Sequence, residues 1–359
     1  MIDPLLILAA ASADRPLFKN PPDKKAESTE ARHKLSKGTD SDQYAIINAI
    51  RKTRSIKGTG SGISRARSFM TANFIAWEAF SETEKIMNQV KEVCVEYGLI
   101  PDILPDKETM EMGGAPLNQN SDYNSLVKAA MVAGYHPNLA VMRAPFKGKG
   151  GGGGDKTLRT AQFNVTKLHP TSLNTRRARD EDHEPNTIFC FAELAKSGDG
   201  GIIFLRDTTV ITPLVAVLLG GKLTQPFGSS QLNLDRWVTF TVRAQDPELA
   251  ADYIMRLKNI MDRIVGATFA DLAAGGASGS AYIHDDPLRT KLAYALSDLL
   301  DMDLAIYEHE MEARRAVREA ERARKQAEND QYHRRTVALQ QASMAMQAHM
   351  GGLHIGDMY

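Results

Sequence analysis

Residues 187–213 read TIFCFAELAKSGDGGIIFLRDTTVITP, and this stretch decides the fold class. Thr187 to Ala195 and Ile202 to Leu205 are rich in β-branched, aromatic and aliphatic residues, and a Gly-Asp-Gly-Gly turn separates them. Further β-type runs lie at Leu139 to Arg143, Arg159 to Leu168 and Trp237 to Val242, with turn-rich connections between them. Short strands at this density predict a small closed or partly closed barrel of about five strands.

Upstream of this block the pattern is helical. From Asp3 to Ala13 the chain is apolar nearly all round, with Asp3 placed as N-cap and Pro4 at the first helical position. A helix apolar on every side must be covered on several sides. Nothing that could cover it precedes it in this chain, so its partners are expected in an N-terminal portion outside this chain. Leu5 to Ala13 ends in an Ala-x-Ala-like pattern, but Asp3 and Pro4 stand where a secretory signal carries Lys or Arg, and export is not expected.

Ser41-Asp42 opens a second helix, with Tyr44, Ile47 and Ile50 on one face. Arg51, Lys52, Arg54, Lys57, Arg65 and Arg67 follow with no acid among them, a run that reads either as a solvated loop or as a phosphate-contacting patch. Ser81-x-x-Glu84 has the spacing of a capping box, Ile86, Val90, Val93 and Tyr97 recur behind it at helical spacing, and Gly98 stops the run. Leu99 to Gln119 is an irregular link, and a helix from about Asn124 to Ala133 stops at Gly134.

Downstream of the barrel, Asp246-Pro247 launches a helix with Leu249, Tyr253, Leu257, Ile260 and Ile264 on one face. Asp286-Pro287 launches another, whose stripe of Leu292, Leu296, Leu299, Tyr307 and Met311 fades into alanines. Its distal half carries oppositely charged pairs four apart, such as Glu310 and Arg314, and reads as a solvated helix.

With 44 basic and 44 acidic residues in 359, any polyanion must be met by a local cluster rather than a global field. Cys94 and Cys190 are too few for a disulfide scaffold or a cysteine-based zinc site and fit small buried apolar side chains. The longest apolar run, Val210 to Leu219, is interrupted by Thr212 and Pro213, so no membrane span is expected. The segment from Gly148-Lys149-Gly150 to Gly154-Asp155-Lys156-Thr157 imitates a phosphate-binding loop, but Asp155 breaks the Gly-Lys-Ser/Thr succession and would repel a phosphate. Histidines 136, 169 and 183 lack metal-ligand spacing, and no nucleophile signature occurs.

The order of helical region, small barrel and helical end carries residues that resemble the C-terminal region of DEAH-box (DEAH/RHA-type) RNA helicases. The matching stretches are IDPLLILAAASADRPLF at Ile2 to Phe18 with Pro22-Asp23-Lys24-Lys25, Ser41-Asp42, and Phe80-Ser81. Further on come Ala133-Gly134-Tyr135-His136-Pro137-Asn138-Leu139-Ala140, Lys167-Leu168-His169-Pro170-Thr171-Ser172-Leu173-Asn174, and Phe204 to Pro213 leading to Leu218-Leu219-Gly220-Gly221.

The resemblance covers about residues 2–245 and implies a partial helicase-associated (ratchet) helical domain over residues 1–120 and a five-stranded oligonucleotide-binding (OB) barrel over 121–245; with the long charged C-terminal helix and frayed tail read from the pattern within 246–359, an α+β protein is expected. It implies single-stranded RNA as partner, RecA-like helicase domains in cis, a protein activator or ribosomal partner docking on the OB surface, and a cytoplasmic location with the nucleus as alternative. No membrane partner follows from it. The chain has no Gly-Lys-Ser/Thr and no Asp-Glu-Ala-His, so it is expected to be a truncated form that does not hydrolyse ATP by itself. ATP and Mg would belong to the RecA-like domains, and no cofactor is expected here. The residues expected to contact RNA are Arg51, Lys52, Arg54, Lys57, Arg65, Arg67, Arg143, Lys147, Lys149 and Lys167, with Lys156 and Arg159 beside the glycine loop. His169-Pro170-Thr171-Ser172 resembles a family turn, and turn chemistry is its simpler reading.

Overall fold

The computed structural model describes residues 1–11, 15–59, 62–143, 157–175, 186–198, 201–273 and 287–350. Residues 1–305 form one compact unit and residues 306–359 a second. No helix among the described residues is long and apolar enough to cross a membrane.

The first unit opens with helices α1 (Ile2–Ala11), α2 (Lys25–Ser36), α3 (Asp42–Lys57), α4 (Gly62–Ala72), α5 (Trp77–Glu96), α6 (Gly114–Asn118) and α7 (Asn124–Tyr135). Leu6 and Ile7 of α1 join Ile47 and Ile50 of α3, Phe80 and Met87 of α5 and Val127 and Met131 of α7 in one apolar cluster. The all-round apolarity of α1 is thus covered by helices of this same chain, which corrects the expectation that its partners lie elsewhere. Asp3 is not a cap either. It sits in the first turn of α1, fully buried, where its carboxylate meets Arg54 Nη2 at 2.6 Å, Arg51 Nε at 2.9 Å and the Met112 amide at 3.0 Å.

Ser41 caps α3 as read from sequence, its Oγ accepting from the Tyr44 amide at 3.0 Å. The proposed capping box does not hold. Helix α5 begins at Trp77, four residues before Ser81, because Phe80 is buried completely and burial extends the helix upstream; Glu84 instead accepts a 2.8 Å bond from Lys57. Its end is as read: Gly98 takes φ 68, a left-handed conformation that costs a glycine little.

Strands β1 (Leu139–Met142), β2 (Leu158–Thr160), β3 (Lys167–Leu168), β4 (Ile188–Lys196) and β5 (Ile203–Ile211) form a five-stranded sheet in the order β2-β1-β4-β5-β3. The sheet curls into a half-barrel whose two edges meet at one antiparallel bridge, Leu158 to Thr166. Five strands are present, but not the five expected. The run from Arg159 to Leu168 is broken, since the Phe163 amide donates to Thr160 Oγ1 at 3.0 Å and turns the chain between β2 and β3. Trp237 to Val242 leaves the barrel, and its strand β8 (Val238–Thr241) pairs with β7 (Gln231–Leu234), which pairs with β6 (Leu223–Thr224) in a second, three-stranded sheet. Strand β5 runs past Leu205 to Ile211 because Arg206 is neutralised across the strands by Glu193 at 2.9 Å, so a polar residue is accommodated within the ladder.

Helical and β parts share a buried polar joint. The Asp42 carboxylate accepts from the Leu173 amide at 2.8 Å and the Thr208 amide at 2.9 Å, and the Asn174 side chain donates to the carbonyls of Asp40 and Thr208, both at 3.1 Å. His169 Nδ1 meets Thr171 Oγ1 at 2.7 Å, and Ser172 Oγ meets Thr208 Oγ1 at 2.9 Å, so the His-Pro-Thr-Ser turn is built by its own hydroxyls. Burial raises the Asp42 carboxyl above its ordinary value, and these donors act against that rise. Burial, with Asp42 and Glu193 nearby, pushes Asp207 up to about 7.

Thr212 caps α8 (Pro213–Leu219), which closes the barrel core with Val215 and Leu218 beside Leu139, Ile188 and Ile211. Asp246 accepts from the Leu249 amide at 3.0 Å and starts α9 (Pro247–Ala273). The face that α9 buries differs from the expected one. Ala251, Lys258 and Met261 turn inward, whereas Leu249, Tyr253 and Ile260 are 45%, 59% and 49% exposed. Leu257 of the expected face still packs on the core, beside Ile254 and Met255, so the buried face is turned from the expected one and overlaps it. Helix α10 spans Pro287–Met350. In the second unit it carries exposed charge, including a 3.4 Å pair of Glu310 with Arg314 and a 3.0 Å pair of Arg324 with Glu328.

Candidate nucleic-acid interface

The chain leaves β1 at Arg143 and returns at Thr157, where the Arg143 amide donates to the Thr157 carbonyl at 2.9 Å. It returns again at Asn186, whose amide donates to the Met142 carbonyl at 2.9 Å. One end of the curled sheet therefore gathers the feet of two loops. Opposite it lies the start of β8, delivered by the two-residue turn Asp235-Arg236, in which both residues take positive φ, 45 and 61.

Between them is a cleft of about 310 Å³ lined by Val141, Met142, Arg143, Arg159, Asn186, Trp237, Val238 and Thr239. None of these is acidic. The Arg159 guanidinium lies 6.0 Å from the centroid of the Trp237 ring, within cation–π range. Arg143 Nη1 donates to the Asn164 carbonyl at 3.2 Å, and both arginines are exposed. Apolar floor, aromatic wall and two cations suit a ligand with a flat π face and an anionic backbone. Among the described residues no group of acids, histidines and cysteines is arranged to hold a metal ion.

The residues expected to contact RNA separate into distinct groups. Arg54 is 4% exposed and bound to Asp3; Arg51 is shared by Asp3 and by Glu111 at 3.0 Å. Arg54 is an interior counter-ion, since a buried, paired guanidinium presents no donor to solvent, whereas Arg51 is partly exposed and divided among Asp3, Glu111 and Asp122. Lys57 is tied to Glu84 and lies 5.7 Å from the Phe80 ring centroid, and Arg67 stacks at 4.9 Å on Trp77. Lys52 on α3 and Arg65 on α4 are exposed. Lys167 is half-buried on β3, next to the bridge that joins the sheet edges. Lys147, Lys149 and Lys156, with the whole glycine loop, lie outside the described residues.

Arg143 and Arg159 are brought together, and the aromatic partner is one that sequence reading assigned to a barrel strand. Phe191 of β4 is 2% exposed and belongs to the core. Trp237 had a local signal in the Asp-Arg turn that precedes it. Its partner Arg159 is 78 residues away, and periodicity carries no information at that range.

Residues 127–223 match the oligonucleotide/oligosaccharide-binding (OB)-fold family. The ATP-dependent DNA/RNA helicase DHX36 of Mus musculus is 24% identical over 270 residues, covering 74% of this chain and 24% of that protein. This chain is homologous to the C-terminal region of DEAH-box RNA helicases. The DExH-box ATP-dependent RNA helicase DExH1 of Arabidopsis thaliana is 24% identical over 271 residues, 75% of this chain and 24% of its own length. The human ATP-dependent RNA helicase DHX29 is 24% identical over 281 residues, 74% of this chain and 18% of its own. The chain thus spans about a fifth to a quarter of the length of these helicases. Arg143, Arg159 and Asn186 fall inside the OB-fold match, and Trp237 falls beyond it.

Proposed function

We propose that this chain is the RNA-binding accessory region of an ATP-dependent DEAH-box RNA helicase: a partial ratchet over residues 1–120, an OB module over 121–245 and a helical extension over 246–359. In this reading the chain holds single-stranded RNA in cis with RecA-like domains that perform ATP hydrolysis, and it acts in the cytoplasm. The observation that carries it is the cleft on the OB module, where Arg143 and Arg159 lie beside Trp237 with no acid among the described lining residues. Contacts of this kind neutralise phosphates without reading base identity, so binding is sequence-poor and falls steeply with salt.

Fluorescence anisotropy with labelled oligo-U at about 50 and 200 mM salt tests the reading. The expected result is binding at low salt with a clear slope, lost when Arg143 and Arg159 are both changed to Glu. Absence of binding at low salt overturns it, as does ATP turnover by the purified chain. A second reading, a non-catalytic scaffold for a protein activator or ribosomal partner, draws support from the exposed Tyr253, Ile260 and Phe269 of α9, and is favoured if no RNA binds.

A further inference from the structure

We infer that Trp237 is the platform of a single-base subsite, in which one unstacked nucleobase lies on the indole while Arg143 and Arg159 hold the adjoining phosphate. The inference rests on the RNA-binding reading above and names what one end of the OB module recognises. Three observations carry it.

The first is size. Pockets for drug-sized ligands begin at about 300 Å³, and the cleft, at about 310 Å³, has room for one nucleotide. The second is the division of chemistry across it. Its floor, Val141 and Met142, is apolar, its wall is an indole, and its two charged side chains are both guanidinium groups. A carboxylate ligand or a bare phosphate would leave the aromatic wall unused. An apolar peptide side chain would leave both guanidinium groups without an anion. A nucleotide satisfies both, since every base has a π face and every linkage one negative charge.

The third is the presentation of Trp237. The Asp235-Arg236 turn places two non-glycine residues at positive φ, and the Asp235 carboxylate is fixed by the Lys222 amide at 2.8 Å and by His136 Nε2 at 3.1 Å. The ring is therefore mounted on a turn tied to the end of α7 and to β6, and it is half-buried, packed on one side against the barrel core. The Arg159 guanidinium over the indole occupies the face that a base would take. On binding it swings aside to the phosphate or stacks on the far side of the base, and either move keeps its cation beside the strand.

The experiment uses the full chain with two oligomers, oligo-U and an abasic ribose-phosphate strand of equal length. Trp77→Phe leaves Trp237 as the sole tryptophan of the two in the sequence. Its emission is expected to be quenched by oligo-U and unaffected by the abasic strand. Trp237→Ala is expected to weaken oligo-U binding about tenfold, leaving the salt slope and the abasic affinity in place, with Trp237→Phe retaining most of the affinity. If neither strand binds at low salt, the RNA-binding reading fails and this inference with it. If both bind equally well to Trp237→Phe and Trp237→Ala, or the emission responds alike to both strands, the subsite is overturned while the broader reading survives.

Discussion

The cationic run on α3 and the cationic pair at the end of β1 are chemically alike, and the fold uses them in opposite ways. Arg51 and Arg54 point inward onto Asp3, a carboxylate with no exposure, in a packed helical cluster. Arg143 and Arg159 point outward beside Trp237, with no acid among the residues lining the same cleft. The lesson is that a basic run in sequence states charge and not destination. An arginine serves a polyanion only where the fold leaves it without an internal counter-ion.

The largest effect expected from breaking this contrast is on stability. Asp3→Asn leaves the buried Arg54 guanidinium without its anion and Arg51 with Glu111 as its near partner, a change that costs about 3–5 kcal/mol. Urea titration at neutral pH measures it, and a loss below about 0.5 kcal/mol would mean that Arg54 is not an interior counter-ion.

Next in size is a pH dependence at the joint. Asp207 is held at about 7 in the folded chain, above the ordinary 3.8 that it regains on unfolding. Between those values the folded state binds the extra proton, so this group's contribution is complete below about 4 and is lost as pH rises through 7. Asp207→Asn removes that slope and raises stability at pH 8 relative to wild type, on the order of 1–3 kcal/mol. Asparagine also tolerates the φ of 48 at this position. Thermal melts at pH 5 and pH 8 read the difference, and parallel shifts in both proteins would sink the assignment.

At the other pole, Arg159→Ala is expected to reduce the salt slope of oligo-U binding by about 0.7, one phosphate contact on a single strand, with no change in melting temperature beyond scatter. The smallest effect belongs to Lys52 and Arg65. Changing both to Glu is expected to lower affinity about twofold, because they are exposed but carry no aromatic platform between them. A larger loss there than at Arg143 and Arg159 would reverse the comparison and move the RNA path onto the helical surface.

Signals that act within a few residues were legible in advance. Ser41 before α3, Asp246-Pro247 before α9 and Gly98 after α5 all stand where elements begin or end, because a cap or a left-handed glycine acts on backbone groups within a turn of itself, whereas Thr212-Pro213, in sequence only a break in an apolar run, in fact starts α8. The apolar runs of β1 and β4 were legible for the same reason. Ser81-x-x-Glu84 misled because a capping motif inside a helix looks the same as one at its start, and only the burial of Phe80 distinguishes them.

By itself, the sequence determined the kinds of element, their order along the chain and the absence of a Gly-Lys-Ser/Thr loop. Tertiary structure alone decided which arginines are spent on Asp3, which stripe of α9 turns inward, and that Trp237 faces Arg159 across a cleft instead of completing the barrel. The reason is range. Propensity and capping are local free energies, whereas neutralising a buried carboxylate or mounting an indole over a guanidinium depends on residues about fifty to eighty apart, brought together when the chain buries its apolar surface.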